Sequence, residues 1–205
     1  MSNTVGADVR VVGIVGGSCA GKTTLARALT GRLGDEATYL AFDQYYRDHG
    51  HLTIEERAIV NYDHLDSLDY GLFLAHLDDL VTGRPVEVPV FDFATHCRTD
   101  QIRRLDPRPV VVADGVLLFA IPGITDRLDL SIFVDATEEL RLARRLYRDV
   151  RERGRTAESV QAQFAATVGP SHRLFVEPYR DSADLVVTGE GDPRPVVDQI
   201  LTHLA

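Results

Sequence analysis

At 205 residues, with 44% hydrophobic and 26% charged side chains and no low-complexity tract, the chain has the composition of one folded domain that buries about 70% of its unfolded surface without a disulfide or metal staple. Its net charge of −9 excludes a nucleic-acid binder held by a basic face, and its two cysteines, Cys19 and Cys97, lack metal spacing and suit a reducing cytoplasm. No apolar run approaches the ~20 residues of a membrane span and Met1 to Asp8 carries no signal-peptide core, so a cytoplasmic protein with neither nucleic acid nor membrane as partner is expected.

The β-branched run Val9 to Val15 reads as a strand buried on both faces. A glycine-rich loop follows, and Thr24 to Leu33 then has helical spacing through Leu25, Ala28, Leu29 and Leu33 until Gly34 stops it. Thr38 to Phe42 is a second strand, ending at Asp43. Gln44 to Asp69 is polar and aromatic-rich without assigned elements, and His49 and His51 within it read as surface residues. Tyr70 to Val81 is an amphipathic helix closed by Gly83. Arg84 to Arg98 alternates as a β-hairpin arm, with Gln101 to Leu105 available to pair with it. Pro109 to Ala113 and Leu130 to Val134 are further buried strands, ending at Asp114 and Asp135. Thr137 to Arg153 is a strong helix with Asp135-x-x-Glu138 as its cap and Arg141, Arg144, Arg145 and Arg148 crowding one side. Gly154 breaks it as a hinge, Ala157 to Val168 and the Ser171 region are helical, Asp184 to Val187 is a fifth strand, and Pro195 to Leu204 a closing helix. Strands alternating with helices give an α/β fold with a parallel sheet.

Lys22 is the sole lysine beside 21 arginines, and it sits in Gly16-Gly17-Ser18-Cys19-Ala20-Gly21-Lys22-Thr23, which fits G-x-x-x-x-G-K-[ST]. Preceded by a strand and followed by a helix, this is a phosphate-binding loop: backbone N–H groups and the helix N-terminus face the phosphates, and a compact ammonium bridges the outer ones better than a planar guanidinium. Thr23 then offers its hydroxyl to Mg²⁺. Asp114, at the carboxyl end of a buried strand, is a second Mg²⁺ candidate; the alternative is a helix-cap or turn aspartate. Asp43, also at a strand end, is a candidate general base for an attacking hydroxyl, with a turn aspartate as the alternative. The arginine helix is either a solvated face balanced by Glu138, Glu139, Asp149 and Glu152 or a lid that closes on a phosphoryl group, and the density of arginines tips the reading to the lid. Cys19 reads as a small residue that fits the loop.

In order and spacing, the segments Gly16 to Thr24, Asp43-Gln-Tyr-Tyr-Arg-Asp48, Asn61-Tyr-Asp-His64, Val88 to Arg98, Ala113-Asp-Gly115, Ile132-Phe-Val-Asp135, Arg144 to Asp149, Glu152-Arg-Gly-Arg155 and Phe175-Val-Glu-Pro178 resemble the uridine kinase (uridine/cytidine kinase) family over nearly the whole chain. The resemblance implies a P-loop NTPase-type domain over 1–205, with a β-hairpin arm at about 84–105 and a helical lid at about 145–170. It implies transfer of the γ-phosphoryl of ATP or GTP to the 5′-hydroxyl of uridine or cytidine, and an assembly that in this family is often a tetramer. Carried over by position, Asp43, Lys22 and Arg148 look catalytic. Gly16 through Thr24 and Asp192 resemble the donor-nucleotide site, and Thr23, Asp114 and Asp43 the Mg²⁺ site. Tyr46, Asp63, Phe91, His96, Arg145, Arg155 and Gln163 resemble the nucleoside site, with Asp63 on the ribose hydroxyls and Phe91 and His96 at the pyrimidine.

Three positions depart from the family pattern: Phe91 where Tyr is common, Asp114 where Glu is usual, and Cys19 where Ser or Thr is usual. The rival reading is a related kinase for another hydroxyl substrate, pantothenate- or phosphoribulokinase-like. A GTPase switch would need an Asn-Lys-x-Asp motif, and no second lysine exists to form it.

Overall fold

The computed structural model describes residues 9–204; the reading of Met1 to Asp8 lies outside them. Valine and isoleucine runs build β1 (Arg10–Gly16), whose last six residues are buried, so that it can only be an interior strand. The loop after it turns directly into α1 (Lys22–Leu33), two residues earlier than its apolar spacing begins, and Gly34 ends it. Next come β2 (Ala37–Ala41), a 3₁₀ turn over Phe42–Tyr45, α2 (Ile54–Ala58) and α3 (Tyr70–Val81). Phe42 therefore belongs to the turn that presents Asp43, not to the strand. The polar, aromatic-rich stretch left without assigned elements holds α2, started by a reciprocal capping box between Thr53 and Glu56, a Thr-x-x-Glu signature visible in the sequence.

The arm is a two-stranded antiparallel ribbon, β3 (Val86–Asp92) with β4 (Cys97–Leu105), set apart from the main sheet. Its register slips between Pro89 and Phe91, where proline removes a ladder donor. Then follow β5 (Val110–Asp114), β6 (Leu130–Asp135), α4 (Glu138–Glu152), α5 (Ala157–Gln163), a π-helical turn at Phe164–Val168, α6 (Gly169–Phe175), β7 (Leu185–Thr188) and α7 (Arg194–Leu204). The cap of α4 is Thr137, whose hydroxyl accepts from the Leu140 N–H; Asp135 stays in β6 and pairs with Arg180 instead. A β-strand end cannot also be the N-cap two residues on, and this overturns the Asp135-x-x-Glu138 expectation.

All pairs in the main sheet are parallel, in the order β2-β5-β1-β6-β7, with Val12 opposite both Val112 and Leu130. One face carries Leu25, Leu29, Val197 and Ile200 from α1 and α7; the other carries Phe42, Tyr45, Phe73, Leu77 and Phe133. Because the strands are parallel, their carboxyl ends bring Gly16, Ala41, Asp114 and Asp135 to one edge, where ligands bind in open α/β sheets.

Candidate active site

Two adjoining cavities open at that edge and share Ser18, Asp43, Val116 and Arg148. The first is lined by Ser18, Cys19 and Gly21 through Thr24 from the loop, and by Arg144, Thr188 to Gly191 and Pro193 across from it. The second is lined by Tyr46, Tyr62, Asp63, Phe91, Phe93 and His96 on one side and Arg145, Arg148, Arg153, Arg155 and Gln163 on the other. All seven residues expected at an acceptor site thus line one cavity, and Ser18, Cys19 and Gly21 to Thr24 of the expected loop line the other, while Gly16, Gly17, Ala20 and Asp114 line neither. Asp192 is not among the lining residues: its carboxylate is taken by Arg194, at 2.6 and 2.7 Å, while its neighbours Gly191 and Pro193 do face the cleft.

The phosphate loop is shaped from behind by α4. Arg141 is 2% exposed and packs so closely on Gly17 that any side chain there would strike it. Arg144 Nη1 donates to the carbonyls of Cys19, Ala20 and Gly189 at 3.3, 3.3 and 3.0 Å, tying the loop to the chain that follows β7. Arg145 Nη1 donates to Ser18 Oγ at 2.8 Å. Cys19 holds φ at 62°, a left-handed conformation costing a non-glycine residue about 1 kcal/mol. The contact between Arg144 and the Cys19 carbonyl helps hold it there. The arginine-rich side of α4 is therefore no solvated face: Arg141, Arg145 and Asp149 are buried. Only the distribution of residues over the helix surface, not their charge, separated the two readings.

Lys22 is buried, and its Nζ donates to the Gly17 carbonyl at 2.9 Å. Burial pushes its pKa below the ordinary lysine value, while Asp43 and Asp114 pull it back up. Asp114 is held from two sides, Thr23 Oγ1 donating to Oδ2 at 2.8 Å and the Tyr39 hydroxyl to Oδ1 at 2.7 Å. Burial and then the nearby Asp43 push the Asp114 carboxyl above its usual range. Two carboxylates and a hydroxyl facing a phosphate loop with one buried lysine leave a demand for positive charge. Among the described residues no group of three or more His, Cys, Asp or Glu side chains is set to hold a metal. The donors present, the Thr23 hydroxyl and the Asp43 and Asp114 carboxylates, are all oxygens, the chemistry that fits a hard cation such as Mg²⁺.

In the second cavity, Asp63 Oδ2 accepts from Thr167 Oγ1 at 2.7 Å and its carbonyl from Ser171, which ties the 61–64 loop to the π-helical turn and to α6. The Phe91 N–H donates to Gln44 Oε1 at 3.0 Å, and its ring lies 5.1 Å from that of Tyr46. His96 sits at φ 55° in the tip of the arm, stacked on Tyr62 at 4.5 Å. Burial, then Arg155 and Arg153, lower its pKa, so its imidazole is neutral near pH 7. Gln163 Oε1 accepts from Arg145 Nη2 at 2.9 Å and from Arg155. Tyr39, Tyr62, Phe93, Arg144, Arg153 and Thr167 were not singled out as site residues from the sequence. Tyr62, Phe93, Arg144 and Arg153 lie within segments that were; Thr167 carries no sequence signal, because only the π-helical turn aims it at Asp63. His49, read as a surface residue, is half-buried edge-on against Tyr62, with Nε2 unpartnered among the described residues. No helix among the described residues is long and apolar enough to cross a membrane.

Comparison with known proteins adds an independent line. The profile described as the Phosphoribulokinase / Uridine kinase family matches residues 11–192. A uridine kinase of Chloroflexus aurantiacus is 43% identical over 195 residues, 95% of this chain and 93% of its own length. A uridine kinase of Staphylococcus epidermidis is 40% identical over 195 residues, 95% of this chain and 94% of its own. Among solved structures, a putative fructose transport system kinase from Silicibacter sp. TM1040 superposes with a TM-score of 0.73 at 21% identity, covering 90% of this chain and 92% of that one, a likeness of fold.

Proposed function

The chain belongs to the phosphoribulokinase/uridine kinase family of phosphotransferases, and on that premise we propose that it moves the γ-phosphoryl of ATP or GTP to the 5′-hydroxyl of uridine or cytidine. The observation that carries this reading is the pair of cavities meeting at Asp43 and Arg148: a donor cleft built on the phosphate loop, and an acceptor pocket of aromatic and hydrogen-bonding groups. Asp43 is half-exposed at the junction, where a carboxylate can take the proton of the attacking hydroxyl. Lys22 and Arg148 face the same junction and offset charge as it builds on the transferred group. Thr23, Asp114 and Asp43 would hold Mg²⁺, which supplies charge neutralisation on the terminal phosphates. Asp63 orients the sugar hydroxyls, and neutral His96 reads the base edge while Tyr46, Phe91 and Phe93 stack around it.

One observation favours a second reading. The acceptor cavity is lined by Arg145, Arg148, Arg153 and Arg155, more cationic groups than a neutral nucleoside requires and enough to seat a phosphorylated acceptor. A coupled ADP-release assay with uridine, cytidine, pantothenate, ribulose 5-phosphate and no acceptor separates the two. Turnover with the pyrimidine nucleosides alone is expected. Turnover only with the sugar phosphate or pantothenate would replace this reading by the rival.

A further inference from the structure

Asp149 is a fully buried carboxylate on α4, and neither cavity exposes it. Four guanidiniums converge on it. Arg148 Nε lies 2.8 Å from Oδ1, Arg145 Nε 3.4 Å from Oδ2, Arg153 Nη1 3.6 Å from Oδ1 and Arg155 Nη1 3.8 Å from Oδ2. These are the four arginines of the acceptor cavity. The backbone carbonyl of the same residue accepts from the Arg153 and Arg155 N–H groups at 3.2 and 3.1 Å, so Asp149 also ends α4 and folds the chain back at Gly154. A carboxylate with no access to the ligand, at the centre of every cation that faces it, acts on the ligand only through those cations.

We infer that Asp149 is a charge-balancing positioning residue: it holds the four arginines as one unit and lowers their net charge, so that the acceptor cavity, which takes a neutral nucleoside, releases its phosphorylated product. The inference rests on the nucleoside reading above. The charges say why the balance matters. Asp43 and Asp63 oppose four guanidiniums in the cavity; with Asp149 behind them the surplus is one positive charge, and without it two. A nucleoside carries no charge and is indifferent to the difference. Its monophosphate carries about two negative charges at neutral pH and is not. An uncompensated arginine cluster would trap product, and beside partly buried guanidiniums each added unit of charge acts more strongly than in bulk water. Only one of the four contacts, that of Arg148, has hydrogen-bond geometry, and among the described residues Asp149 Oδ2 and Arg145 Nε have no hydrogen-bond partner. The link to Asp149 is thus mainly one of charge: Arg145 spends its hydrogen bonds on Ser18 and Gln163, and Arg155 on Gln163, groups that themselves line the acceptor cavity.

The test compares dissociation constants for uridine and for UMP by calorimetry on the full chain, which needs no turnover. Four proteins are measured alongside wild type: Asp149→Asn, Asp149→Glu, Arg153→Gln and the double variant Asp149→Asn/Arg153→Gln, with thermal melts to show that each folds. Loss of the carboxylate is expected to tighten UMP relative to uridine by about tenfold, both in the wild-type and in the Arg153→Gln background, and the gain should shrink as salt rises. Asp149→Glu, which keeps the charge, should leave the ratio within about twofold of wild type, and steady-state product inhibition should follow the same order. An unchanged UMP-to-uridine ratio in a folded Asp149→Asn protein, or the same change in Asp149→Glu, overturns the inference. If Asp149→Asn alone does not fold, the comparison of the double variant with Arg153→Gln decides it. If both proteins lacking the carboxylate fail to fold while Asp149→Glu folds, Asp149 is a structural counter-ion only and the inference falls. Wild-type protein that binds no uridine would instead sink the nucleoside reading and leave the charge argument to be repeated with the acceptor it does bind.

Discussion

Asp43 is the one carboxylate among the residues that line both cavities, and its presentation depends on Phe42 anchoring the 3₁₀ turn in the core. Asp43→Asn keeps that shape and removes the base. Turnover should fall at least about a hundredfold while ATP binding, read by calorimetry, stays within a factor of about three; near-normal turnover would discard the base assignment. His96 makes a pH prediction. Arg155, Arg153 and Arg57 face it from the lid side and from α2, and Asp92 from the arm, and burial with the nearest arginines holds its pKa below 6.5. The nucleoside KM should therefore rise on acidification, as the ring gains a proton, and do so at lower pH than for an ordinary histidine. The ATP KM should not follow. His96→Ala should raise the nucleoside KM at pH 7.5 about tenfold or more and leave the ATP KM nearly unchanged, and equal losses for both would refute base reading.

At the scale of elements, strands and the longer helices were legible because β-branched runs and 3.6-residue spacing are local signals. Pro109 to Ala113 and Leu130 to Val134 shift by a residue at most as strands. Short α2 was missed although its capping box is written in Thr53 and Glu56, because five residues are too few to show a period. The cap of α4 went to Thr137 because a hydroxyl one residue before the helix outcompetes a carboxylate held in a strand. What stayed invisible were contacts made across elements: Arg141 on Gly17, Thr167 on Asp63, four arginines on Asp149. The α6 residue His172 shows how such contacts titrate. Its Nε2 lies 3.0 Å from Glu177, a partner that would raise the pKa, yet burial and then Arg141 and Lys22 push it down to about 4, with Glu138 opposing and Arg173 adding to the fall. Burial wins because Glu177 is half-exposed and water screens it. A pKa lowered on folding means that the unfolded chain binds the proton more tightly, so stability rises with pH. The contribution is complete above 6.5 and lost as pH falls toward about 4. His172→Gln should flatten the thermal-unfolding midpoint over that window by up to about 3 kcal/mol of equivalent stability, and an unchanged pH slope would show that other groups carry it.

The whole molecule has two cores separated by one sheet, and the strands see both. Ile121 lies in the core on the α3 side, Ile200 in the core on the α1 and α7 side. Each is fully buried, so Ile121→Val and Ile200→Val should each cost about 1 kcal/mol and, with the sheet between them, add to within about 0.5 kcal/mol in the double variant. A larger deviation would mean that the two faces respond as one. The phosphate loop is held by a helix on one side and by Gly189 on the other, where an added side chain would strike the Ala20 carbonyl at 1.7 Å.

The solitary buried lysine has a practical consequence. Reagents that acylate or reductively alkylate primary amines find on the side chains of this protein a single target, Lys22, and they find it in the donor cleft. Its depressed pKa raises the share of reactive free amine, while its seat against the Gly17 carbonyl limits access. Coupling to a surface through lysine, or labelling with an amine-reactive dye, would consume the site itself rather than decorate the exterior. The same exclusivity makes modification of Lys22 a side-chain footprint of nucleotide occupancy, read after digestion so that an adduct on the α-amino group is counted apart.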